Sequence, residues 1–120
     1  MQPQVLLIDD AVPIHELVRG HIRPLGLDLR SAYDGGTGIS MVEVLRPEVV
    51  LLDIDLPDVD GFDVCRRLKS AAQTTAIPII FVTADFSPVD EAKGFALGAA
   101  DYVTKPFSGD ALIQRVDACL

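Results

Sequence analysis

Three short runs of the chain are apolar at every position: residues 5–8 (VLLI), 49–52 (VVLL) and 79–82 (IIFV). A strand with one wet face alternates, so unbroken Val- and Ile-rich runs of this length predict strands covered on both faces, as in a parallel sheet. Residues 28–32 and 101–104 are weaker strand candidates, and the first of them alternates as an edge strand does. Between the runs the period changes. Ile14, Leu17, Val18, Ile22 and Leu25 follow the i, i+3, i+4 spacing of one buried helical stripe, with Pro24 in its last turn and Gly26 placed to end it. Residues 37–46 form a second predicted helix, stopped by Pro47. Phe62, Cys65, Leu68 and Ala72 mark a third, entered through Asp60 as N-cap. Ser87 and Pro88 read as N-cap and first position of a fourth. Asp90 and Glu91 fall in its first turn, where the helix dipole favours acids, and Gly98 caps its end. Ser108 or Gly109 opens a fifth that runs to the end of the chain.

Strand and helix therefore alternate five times, the signature of a doubly wound α/β domain with a parallel sheet. The 120 residues fit a single domain, residues 1–120, without internal linker or repeat. Hydrophobic residues make up 49% and charged residues 23%, the balance of a soluble globular protein. No apolar run approaches the roughly 20 residues needed to span a bilayer, so no membrane partner is expected. Carboxylates stand directly behind the first apolar run, which excludes a secretory signal and points to the cytoplasm. Cys65 and Cys119 lack any metal-ligand spacing and read as free thiols, Cys65 as a small core residue. Eighteen acids against ten bases give a net charge of −8 with no Lys/Arg cluster, so direct nucleic-acid binding by this domain is not expected.

The placement of polar residues carries the chemistry. Asp9 and Asp10 follow the first apolar run, Asp53 the third strand, Thr83 the fourth and Lys105 the fifth. In a parallel sheet these ends share one edge, where open α/β folds bind ligands. Three carboxylates there repel one another; at 4 Å a pair costs about 4 kcal/mol at an effective dielectric near 20. They must protonate or collect a cation. An all-oxygen set without His or Cys suits Mg²⁺ or Mn²⁺ rather than zinc. With Lys105 as a fixed positive charge, a phosphoryl group can enter between cation and ammonium, as phosphoryl transfer requires. Asp58 and Asp63 read as solvated loop acids. His15 and His21 lie six apart, roughly 240° around a helix, and read as surface residues rather than a pair.

At these motifs the chain resembles the receiver domains of bacterial two-component response regulators. The resemblance rests on LLIDD ending in Asp9-Asp10, LLDIDLPDVDG around Asp53, FVTA with Thr83-Ala84, and GAADYVTKPF with Lys105-Pro106, and it covers essentially the whole chain. It implies a flavodoxin-like (βα)5 fold with strand order 2-1-3-4-5. It also implies that Asp53 accepts a phosphoryl group from a phosphohistidine on a partner histidine kinase or phosphotransfer protein. Asp10 would ligate Mg²⁺ directly, Asp9 mostly through water, and the Asp55 carbonyl would add a ligand. Thr83 and the Ala84 amide would bind one phosphoryl oxygen and Lys105 another. Tyr102 would be the switch aromatic, turning inward as Thr83 moves and so altering the face of the fourth helix, fifth strand and fifth helix, and Lys105-Pro106 the cis peptide. An output domain or downstream protein would read the change, and phosphorylation-dependent homodimers through that face are compatible with it. Such a domain is a phosphoacceptor that assists its own phosphorylation and dephosphorylation rather than an enzyme.

Leu56 stands where the family pattern usually has Met, a swap that conserves volume. Asp55 and Asp85 occupy the variable positions beside the acceptor and Thr83, and both are expected to tune the lifetime of the aspartyl phosphate. Asp53-Ile-Asp55 also resembles the nucleophile motif of haloacid-dehalogenase-type phosphatases, but Pro57 stands where that motif has Thr or Val. A degenerate receiver that binds partners without phosphorylation would not need all five chemical residues. A flavodoxin-like cofactor module would need a phosphate-cradling loop after the first strand. The abrupt stop at Leu120 suggests a receiver cut from a longer regulator.

Overall fold

The computed structural model describes residues 2–85 and 87–120. Its strands are β1 (Gln4–Ile8), β2 (Asp28–Ala32), β3 (Val49–Leu52), β4 (Ile79–Thr83) and β5 (Asp101–Thr104). Its helices are α1 (Val12–Ile22), α2 (Gly35–Leu45), α3 (Gly61–Ser70), α4 (Pro88–Ala96) and α5 (Gly109–Cys119). All strands are parallel, in the order β2-β1-β3-β4-β5. This is the flavodoxin-like arrangement expected. The apolar runs are unbroken because helices cover both faces. Leu6, Ile8, Leu52 and Phe81 pack with Val42 of α2 and Phe62, Cys65 and Leu68 of α3. Their neighbours Val5, Leu7, Leu51 and Val82 point the other way, onto Val18 and Ile22 of α1 and Leu112 and Val116 of α5.

Side chains of Asp34, Asp60, Ser87 and Ser108 accept backbone N–H groups at the starts of α2, α3, α4 and α5. The Asp34 cap starts α2 two residues earlier than its apolar pattern indicates. Gly98, at φ +104°, follows the Leu97 cap of α4. α1 ends at Ile22, and residues 23–25, including Pro24, form a 3-10 turn closed by Gly26 at φ +75°.

Three expectations need correction. Leu17 and Leu25 are each 45% exposed, whereas His15 is buried at 1%. The stripe of α1 that meets the sheet is His15, Val18 and Ile22. His15 tolerates burial because both ring nitrogens have partners. Ala72 lies beyond α3 and is exposed, while Thr74 is buried and its hydroxyl donates to the Leu68 carbonyl at 2.6 Å. Asp58 is exposed but not free. Its two carboxylate oxygens accept Gly35 N–H and Gly36 N–H at 2.8 Å each, tying the loop after β3 to the start of α2. Asp63 is exposed as expected and pairs with Arg66.

The two amides hold the Asp58 carboxyl below its ordinary value of 3.8. A depressed folded-state value means stabilisation present above the unfolded value and lost as pH falls through the folded one. Asp58→Ala is therefore expected to melt below wild type at neutral pH, with the gap closing in acid. A gap that persists at the lowest pH where both variants fold would contradict the clamp.

Candidate functional site

In-register pairing sets the strand ends level: Ile8 sits opposite Leu52, and Thr83 opposite Thr104. Asp53 N–H donates to the Ile8 carbonyl at 3.0 Å, and Lys105 N–H to the Thr83 carbonyl at 2.7 Å. The residues just past each strand are thereby held at one edge. Asp9 is fully buried; one carboxylate oxygen accepts Ala11 N–H at 2.8 Å and the other Lys105 Nζ at 2.6 Å. Asp53, 7% exposed, accepts Ile54 N–H at 2.7 Å and Lys105 Nζ at 3.2 Å. Burial alone would push the Lys105 ammonium down, but the Asp9 hydrogen bond and the Asp53 charge outweigh it and hold its pKa above the ordinary value.

Asp10 is exposed, yet it offers an oxygen that lies with one from Asp9 and one from Asp53 within 4.8 Å of one another. Three carboxylates against one ammonium leave two negative charges uncompensated, the charge of one divalent ion. The donor set is all oxygen, so these residues fit Mg²⁺ or Mn²⁺. Asp55 and Ala84 are exposed near this edge. Buried Thr83 accepts a long bond, 3.4 Å, from Asp85 N–H, which does not use the hydroxyl proton.

Tyr102 is 8% exposed and already turned inward, rather than waiting on a movement of Thr83; its hydroxyl donates to the Asp85 carbonyl at 3.0 Å. Its ring continues an aromatic series, with Phe81 at 6.1 Å and Phe62 another 5.4 Å beyond. Burial, then the charges of Asp85, Asp90, Glu91 and Asp53, push its pKa up to about 12. The Asp85 carboxylate accepts Ser87 N–H at 2.8 Å, facing the start of α4. A hydrogen bond with the Asp90 carboxyl, then that amide, hold Asp85 below the usual carboxylate range, and the same bond raises Asp90. Lys105-Pro106 is cis.

Two residues of this region carry no chemistry of their own and were not singled out in the sequence as site residues. Gly61 opens α3 against the acceptor: a Cβ there would overlap the Asp53 carbonyl oxygen and crowd Ile54 Cα. His15 holds the Asp9 carbonyl. Its signal was its place three residues before Val18 and seven before Ile22.

The family model for the response regulator receiver domain matches residues 5–117. The chain is 41% identical over 98% of its length to the DNA-binding dual master transcriptional regulator RpaA of a Synechocystis species. It spans about half, 49%, of that curated relative. The chemotaxis response regulator CheY4 of Vibrio cholerae superposes with a TM-score of 0.91 at 26% identity, covering 100% of both chains. A BeF3-activated DrrB receiver domain superposes at 0.86 with 31% identity, covering 99% of this chain and 97% of that one.

Gly61→Ala is expected to cost about 1–3 kcal/mol in chemical denaturation, because the backbone of Asp53 cannot move aside cheaply. No measurable loss would show that the contact is slack. In a Tyr33→Phe background the remaining phenol is expected to ionise near pH 12, read by tyrosinate absorbance. The raised value contributes stability that is complete below the unfolded value of 10.0 and is lost as pH rises through the folded one. A midpoint near 10 would contradict the inward placement.

Proposed function

The chain belongs to the response regulator receiver family, and on that premise we propose that Asp53 accepts a phosphoryl group from the phosphohistidine of a partner histidine kinase or phosphotransfer protein. The observation that carries this reading is the convergence of Asp9, Asp10 and Asp53 with Lys105 at one strand edge. An oxygen of Asp53 attacks phosphorus, the P–N bond breaks, and its electron pair returns to the imidazole. An acyl phosphate remains on the carboxylate.

Asp9, Asp10, Asp53 and the Asp55 carbonyl would hold Mg²⁺, which when bound neutralises charge on the transferring group. Lys105 already bonds Asp53, so its ammonium stands beside the carboxylate and would pair with a phosphoryl oxygen there. Thr83 has a hydroxyl proton to donate to another oxygen, beside the Ala84 amide. As Thr83 shifts, Tyr102 and the Asp85 carbonyl that receives its hydroxyl respond, altering the face of α4, β5 and α5. Asp55 and Asp85 set how long the acyl phosphate survives by acting on the attacking water. The domain is loaded and unloaded rather than turning over a substrate, so it is a phosphoacceptor and not an enzyme. Its place, as for the receiver family generally, is the cytoplasm. Among the described residues no helix is long and apolar enough to cross a membrane. The output is an attached domain or a downstream protein, and the net charge of −8 leaves any DNA contact to that partner.

Incubation with Mg²⁺ and acetyl phosphate is expected to add one phosphoryl group, seen by mass spectrometry. Asp53→Ala and removal of Mg²⁺ by chelation should each abolish it, and Lys105→Met should slow it roughly 10²- to 10³-fold. A persistent adduct in Asp53→Ala would overturn the assignment. Asp85→Ala is expected to change the decay rate of the adduct; identical decay would remove Asp85 from that role.

A further inference from the structure

His15 is enclosed, 1% exposed, yet its ring is fully employed. Nε2 lies 2.7 Å from the main-chain oxygen of Asp9, and Nδ1 lies 2.7 Å from Ser31 Oγ on β2. A carbonyl oxygen only accepts, so Nε2 carries a proton and donates it. In the neutral ring Nδ1 then accepts from the Ser31 hydroxyl. Tyr33 covers the imidazole, with centroids 4.4 Å apart.

The carbonyl held in this way belongs to the peptide that joins Asp9 to Asp10. The Asp9 N–H makes the last bond to β2, donating to the Ala32 carbonyl at 3.0 Å, and the chain then leaves the sheet. A peptide group is planar, so pinning its oxygen also orients the nitrogen and Cα of Asp10. Asp9 has other anchors at both carboxylate oxygens. Asp10 is exposed, and among the described residues its carboxylate has no hydrogen bond of its own. Ala11 and Lys105 hold the Asp9 carboxylate directly, whereas the imidazole acts on Asp10 only through the main chain, by fixing the peptide from which its side chain departs.

We infer that His15 is a positioning residue for the cation site, fixing the spacing of the Asp9 and Asp10 carboxylates through their shared peptide. The inference rests on the reading that this site takes a divalent ion. Loss of such a supporting contact typically weakens metal binding about 10–100-fold.

The test is Mn²⁺ binding to the whole folded chain, read from the free-ion signal in electron paramagnetic resonance. His15→Leu is expected to weaken Mn²⁺ about 10–100-fold. His15→Gln, whose amide nitrogen can donate to the same carbonyl, should retain most of the affinity. Val18→Ala, in the same buried stripe, should lower the melting temperature without moving affinity, which separates positioning from stability. If His15→Leu does not fold, His15→Asn replaces it: its shorter amide keeps the Ser31 side and loses Asp9. Affinity within twofold of wild type in a folded Leu or Asn variant overturns the inference, as does equal weakening by Val18→Ala. A wild type that binds no Mn²⁺ overturns the cation reading itself and this inference with it.

Discussion

Too much negative charge meets at one edge of the sheet, and the rest of the structure answers to it. Asp9 and Asp53 are buried, Asp10 joins them from solvent, and among the described residues Lys105 is the one ammonium bonded to the pair. Removing a carboxylate from water is costly unless it is paired and hydrogen-bonded. Each buried acid here takes a backbone N–H as well as the lysine. Those bonds make the arrangement tolerable but leave it two charges short of neutral. The donor set fits a divalent ion, and the proposed function adds a phosphoryl group beside the fixed ammonium.

The scaffold around the site is stiff on one side and loosely seated on the other. Gly61 lets α3 press on the Asp53 backbone, Asp58 ties that loop to α2, and His15 holds the turn after β1. On the far side, Gly94 is the one buried residue of α4 among the described residues, while Val89 is 75% exposed. Gly94 faces the Phe81 ring, where a Cβ would come within 3.1 Å. An element held by so little apolar burial is the kind that rearranges at low cost. The inward Tyr102 lies between this helix and the acidic edge, in the position to connect them.

Much of this was legible in the sequence because the physics is local. Double-sided burial makes unbroken apolar strands, and a carboxylate or lysine just after such a strand must emerge at the common edge. Strand order is different: alternation alone does not give 2-1-3-4-5, which came with the family resemblance. The stripe of α1 was misread because Leu17 and Leu25 look like better core residues than His15. The partners that make a buried imidazole acceptable, the Asp9 carbonyl and Ser31, are a backbone atom and a residue on another strand. Asp58 was misread likewise, since its partners are the amides of two glycines more than twenty residues away. Polar groups satisfied by distant backbone leave no periodic trace.

On the proposed reading, uncompensated charge makes the folded domain bind a divalent cation. Thermal unfolding across a Mg²⁺ titration, at constant ionic strength, tests it most directly. Binding to the folded state alone adds about 2.7 kcal/mol at a hundred times Kd, so the melting temperature should climb with Mg²⁺. The climb should be absent in Asp10→Asn. A melting temperature indifferent to Mg²⁺, or rising equally in the variant, would rule out cation binding by these carboxylates.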